Sequence, residues 1–187
     1  KISGKNLDAA PYWDYYRTYV PFEKILGRLD VETTFKGTLW QFAADGNMKV
    51  KDLHFLYPEV FHAALEPKDL HFAYRMTLKH EDIRIESIDF FADGFHARGD
   101  CSVLDIPSEN PHIVAHAVTD PFELETHRQY IPFGIIPKGP SEFIEKHILA
   151  GKYRLDEGRL DGKVSEIAHM EEGDNHRVLY IRGRVLE

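Results

Sequence analysis

Cysteine is nearly missing from this chain. Cys101 is the only one in 187 residues, so no internal disulfide staples the fold and the redox compartment is left open. Long apolar runs are missing too: no window approaches the ~18 apolar residues a membrane-spanning helix needs. The start, Lys1-Ile2-Ser3-Gly4, has neither a methionine nor a signal-peptide core, so the chain reads as a piece of a longer protein whose targeting signals lie elsewhere. Basic clusters are also lacking. The 23 Lys and Arg are scattered among 31 Asp and Glu for a net charge of −8, which argues against nucleic acid as a partner and against overall electrostatic attraction to anionic lipid heads.

The motifs of common chemistries are absent as well. Eleven histidines invite a metal, but there is no His-Glu-x-x-His and no Cys-x-x-Cys. His112 and His116 are the nearest pair, and on a strand residues four apart lie ~13 Å from each other, too far to share one ion. No Gly-x-Ser-x-Gly elbow marks a nucleophile, and no Gly-rich loop ends in Lys-Ser or Lys-Thr to cradle phosphate. The run Glu171-Glu172-Gly173-Asp174-Asn175 lacks the alternation of a calcium loop and reads as a solvated connection. Neither a catalytic residue, a metal site nor a cofactor is expected.

What the chain has instead is alternation. From Asp69 to Lys79, Leu70, Phe72, Tyr74, Met76 and Leu78 alternate with His71, Ala73, Arg75, Thr77 and Lys79, the pattern of a strand with one wet and one apolar face. A turn at Lys79 to Asp82 leads into Ile83, Ile85, Ile88 and Phe90. Asp93-Gly94 then turns the chain into Phe95 to Val103, completing a meander. Upstream, Leu29 to Phe35 alternates up to a turn at Gly37. The following stretch to Pro58 carries Asp45-Gly46, read as either a hairpin turn or a bulge. Pro111 to Thr119 and Val178 to Val185 read as strands, and Tyr153 to Ile167 as one or two strands broken at Gly158 and Gly162. Cys101 falls within the alternation and reads as a small packed hydrophobe.

Two segments depart from this pattern. Ala10 to Leu26 is rich in aromatics, including Tyr12, Trp13, Tyr15, Tyr16, Tyr19 and Phe22, and fits a short helix ending before Pro21. Its rings suit either a packed core edge or an interface. Ser141 to Ala150 fits a helix with Pro140 beside a Ser start and Gly151 as its stop. Tyr19-Val20-Pro21-Phe22 echoes Tyr130-Ile131-Pro132-Phe133, which suggests two modules, residues 1–106 and 107–187, joined across the turn-rich stretch Asp105 to Pro111. The expected fold is mainly β with minor α: long antiparallel amphipathic strands in a curled sheet or groove, flanked by one or two short helices.

The order Leu29-Asp30-Val31-Glu32, Gly37, Gly46 to Leu53, Leu70-His71-Phe72, Ile88-Asp89-Phe90 and Gly99-Asp100 resembles the AsmA-like family. Tyr130-Ile131-Pro132, the helix before Ala150-Gly151, and Arg159 to Val164 are similar to its YhdP branch. The long Tyr130 to Ala150 insertion and the missing N-terminal membrane helix depart from the general pattern. The resemblance implies a periplasmic segment of a protein tethered to the inner membrane by an anchor outside this sequence. It further implies a non-enzymatic role in phospholipid transport and outer-membrane biogenesis. Acyl chains would pass along an apolar β-groove, and neighbouring modules of the full-length protein would be its partners. The lipid-facing candidates are Leu70, Phe72, Tyr74, Met76, Leu78, Ile83 and Ile85. The alternative is a structural or protein-binding β module of the envelope whose apolar face is fully covered.

Overall fold

The computed structural model describes residues 1–8, 10–19, 22–38, 40–136 and 138–186. Among them, ten strands form one antiparallel sheet that is not closed into a barrel: β1 (Ile2–Asp8), β2 (Lys24–Gly37), β3 (Gln41–Leu56), β4 (Asp69–Lys79), β5 (Asp82–Ala92), β6 (Phe95–Leu104), β7 (His112–Thr119), β8 (Phe122–Glu123), β9 (Lys152–Lys163) and β10 (Leu179–Leu186). Each strand pairs with its neighbour in sequence, except that β7 and the two-residue β8 both pair with β9, one after the other along its length. The sheet runs without interruption through Asp105 to Pro111, which form the loop between β6 and β7.

The β4–β5–β6 meander follows the alternation. His80-Glu81 and Asp93-Gly94 are its two-residue turns, and Asp93 and Gly94 take φ values of 48° and 90°, the left-handed pair that matches the twist of a hairpin. Asp45-Gly46 is neither a turn nor a bulge. Both residues lie inside β3 in unbroken register, Asp45 opposite Thr34 and Gly46 opposite Thr33. Sheet pairing on both sides outweighs the local turn preference, and the missing side chain of Gly46 leaves room for the Thr33 and Tyr74 hydroxyls, 3.0 Å apart. Likewise β9 passes through Gly158 and Gly162 unbroken, and the chain beyond Lys163 is helical rather than extended.

Among the described residues four short α-helices, α1 (Trp13–Tyr16), α2 (Leu124–His127), α3 (Lys138–His147) and α4 (Val164–Ala168), flank the sheet, with short 3-10 turns between elements. Helix α3 begins three residues before Ser141, which is buried inside it rather than standing at its start. Val20 and Pro21 of the echo, and the side chains of Tyr12, Tyr15, Tyr16, Tyr19, Pro140 and Phe143, lie outside the described residues. Of the echoed aromatics, Phe22 stacks on Trp13 and packs against Phe55, whereas Tyr130 and Phe133 are buried.

The fully buried core is small and lies at one end of the sheet. Leu65, Ala92, Phe95 and Tyr130 form it, with Phe55, Phe61, Phe90, Ala97 and Phe122 packed around them. The Phe95 ring lies 5.2 Å from that of Phe122 and 5.3 Å from that of Tyr130. Residues 57–67 and the segment after β8 therefore close one end of the apolar face. A buried His127 ties this closure together, with Nδ1 2.9 Å from the Glu123 carbonyl and Nε2 3.0 Å from the Asp93 carbonyl in the β5–β6 turn.

Candidate functional site: an apolar sheet face

Register decides which residues share a face, and here it aligns the apolar positions across strand after strand. One row runs Phe35, Ala44, Met76, Ile85, Cys101, Ala115, Leu160 and Leu179; another runs Val31, Met48, Phe72, Phe90 and Ala97. All seven sequence-predicted residues belong to this face. Leu70, Phe72, Tyr74, Met76 and Leu78 lie along β4, Ile83 is directly opposite Leu78, and Ile85 is opposite Met76. A bulge at Glu86-Ser87 in β5 shifts the pairing and still keeps Ile88 opposite Tyr74.

Each of these seven side chains is half-buried, neither sealed nor free. In-plane neighbours account for part of that cover: the Phe72 and Tyr74 rings lie 5.8 Å apart. Among the described residues no second sheet lies over the face. Cover comes instead from the end core and from the β9–β10 connection, where buried Val178 fills the space above Gly162. Apolar exposure persists toward the sheet margins, at Phe35, Ile181 and Val185. Cys101 sits in the middle of the face, where burial pushes its thiol above the ordinary value and the neighbouring Asp100 adds to the effect.

The opposite face is ionic, and alternation alone does not reveal its cross-strand pairs. His116 Nδ1 lies 3.0 Å from Asp100, and His112 Nε2 lies 2.8 Å from Asp161. Each member of that candidate metal pair thus has its own carboxylate. No three His, Cys, Asp or Glu side chains among the described residues group as ion ligands. The densest cluster is at His96, which bridges Asp120 (2.7 Å) and Asp89 (3.3 Å), while Arg98 donates to the other oxygen of Asp120 at 2.7 Å. It links β5, β6 and the joint between β7 and β8. Sequence could have flagged it only through the proximity of His96, Arg98 and Asp120 to strand ends.

Hydrogen bonding to Asp120 raises the His96 pKa above the usual imidazole value, and the His96 partnership in turn holds the Asp120 carboxyl below the usual carboxylate range. The raised His96 pKa contributes stability fully present below about pH 6.5 and lost as pH climbs through the folded value. The depressed Asp120 pKa contributes stability present above about pH 3.9 and lost as pH falls through its folded value. NMR titration is expected to place His96 above the ordinary imidazole value, and Asp120→Asn to lower it. An unchanged His96 titration in that variant would remove the coupling.

No protein-family model, no curated protein and no solved structure matches this chain.

Proposed function

We propose that this chain is a periplasmic segment of an AsmA-like envelope protein that handles phospholipid without catalysis, holding acyl chains against its apolar sheet face. The observation that carries the reading is the row-by-row apolar register of a single sheet, with its central residues half-buried and its other face ionic. A hydrocarbon chain laid on such a face gains ~0.8 kcal/mol for each CH₂ removed from water, and the ionic face keeps the opposite side wet. In this reading the inner-membrane anchor and neighbouring modules belong to the longer protein, and the work contributes to outer-membrane biogenesis.

Solvent extraction of the purified, folded chain followed by lipid mass spectrometry tests it. Phospholipid in reproducible proportion to protein is expected, and Met76→Glu, which places a charge in the middle of the face, is expected to reduce it several-fold. A folded chain free of phospholipid would favour the second reading, a protein-binding envelope module. That reading draws on the closure of one end of the face by residues 57–67 and the segment after β8.

A further inference from the structure

We propose that the tip of the β2–β3 hairpin docks on the surface of a bilayer containing anionic phospholipid, an inference that rests on the acyl-chain reading above and names where that face meets a membrane. Trp40 is 82% exposed, the most exposed of the large apolar residues at the ends and edges of the sheet. Thr38 and Gln41 are joined beside it: the Thr38 N–H donates to the Gln41 carbonyl at 2.8 Å, and the Thr38 hydroxyl accepts from the Gln41 N–H at 3.2 Å. An indole with a polar N–H on an apolar body is the side chain best suited to the boundary between headgroups and hydrocarbon.

The two sides of the tip differ in chemistry. On the apolar side the strand ends bring Phe35, Phe42 and Leu78 into adjacent register positions, with the Phe35 and Phe42 rings 4.9 Å apart, continuous with the row that holds Met76. Beside the tip, a cavity of about 420 Å³ is lined by Lys36, Thr38, Gln41, Thr77 and Lys79 together with Ala43 and the apolar-side Phe42 and Leu78. Its only charged lining groups are the two lysines, and neither has an ion-pair partner among the described residues. Asp82, opposite Lys79, instead accepts from the Asp105 N–H and lies 3.9 Å from Arg84. Two lysines thus stand together at the tip of a chain whose net charge is −8, with Glu81 and Asp82 in the neighbouring β4–β5 hairpin. Two free ammonium groups with hydroxyl and amide neighbours suit a phosphate-bearing headgroup, and their alkyl stems allow them to reach up to it while the tryptophan lies deeper.

Trp13→Phe leaves Trp40 as the single tryptophan reporter. With vesicles of equal phosphatidylglycerol and phosphatidylcholine, its emission is expected to shift to the blue and to be quenched by acyl-chain-brominated phospholipid. Lys36→Glu and Lys79→Glu are each expected to lower partitioning by about fivefold or more. Trp40→Ala is expected to lower it by roughly tenfold with the thermal midpoint unchanged, since the ring contributes little to packing. An emission spectrum unmoved by vesicles would overturn the docking site. So would a dimer seen in sedimentation velocity that Trp40→Ala dissolves, because the tip would then belong to a second copy of the chain. Wild-type protein that carries extractable phospholipid yet ignores vesicles overturns docking and leaves the acyl-chain reading intact; wild-type protein free of phospholipid that still partitions through Trp40 retains docking and removes that reading.

Discussion

Phe95→Ala is expected to lower the free energy of unfolding by about 3–5 kcal/mol, the range for emptying a buried aromatic position. Phe95 is 7% exposed and packs on Phe122, Tyr130 and Phe90 in the one place where strands and covering segments meet. Few side chains of this sheet are sealed on all sides, so the loss falls on a small reserve. Phe72→Ala serves as the contrast. Phe72 is in the same apolar register but half-buried, and truncating it is expected to cost markedly less. Denaturant unfolding of the two variants checks both values. Equal losses would mean that the face is as well packed at Phe72 as at Phe95, and would contradict an apolar face left partly uncovered along β4.

Gly134→Val is expected to destabilise by about 3 kcal/mol, at the upper end of overpacking penalties. The Gly134 N–H donates to the Val60 carbonyl at 3.0 Å, latching the segment after β8 onto residues 57–67. A Cβ at this position would lie 1.8 Å from the Glu59 carbonyl oxygen, and that obstacle is backbone rather than a side chain that can swing aside. The two segments must separate, exposing the buried Tyr130 and Phe133. Limited proteolysis is expected to cut the variant within residues 57–67 or after β8 far faster than the wild type, with the hairpins of the sheet still protected. Unchanged cleavage and stability would show that the latch does not hold the closed end.

Alternation carried most of the sheet because the central strands have one wet face and one apolar face, so period two survives in the sequence. The turns around β5 were legible for a separate reason: Asp93-Gly94 is a strong two-residue hairpin signal, and the polar run Lys79 to Asp82 interrupts the alternation. The same cue misled at Asp45-Gly46, where pairing with both β2 and β4 fixes an extended conformation that local preference does not predict. Glycines 158 and 162 misled similarly, since in a strand they mark close approach as readily as a break. The edge strand β1, with weak alternation and a register shift between Gly4 and Leu7, left no clear trace.

The candidate face itself was legible: all seven of its predicted residues fall together. Its degree of cover was not. Whether Leu70 to Leu78 lies open or sealed depends on where residues 57–67, the segment after β8 and the β9–β10 connection come to rest, and those are contacts between positions far apart in sequence. The ionic pairs of the other face were hidden for the same reason, because His96 meets Asp89 and Asp120 only once three strands have taken register.

Photo-crosslinking tests most directly whether the apolar face holds acyl chains. The chain would be loaded with a phospholipid carrying a diazirine along one acyl chain, irradiated, digested and mapped by mass spectrometry. Adducts are expected to concentrate on the apolar-face residues of β3, β4 and β5, including Phe72, Met76 and Ile85, with the ionic-face residues His71, Arg75 and Arg84 unlabelled. Equal labelling of the two faces, or none on β4, would contradict an acyl-chain site on this face.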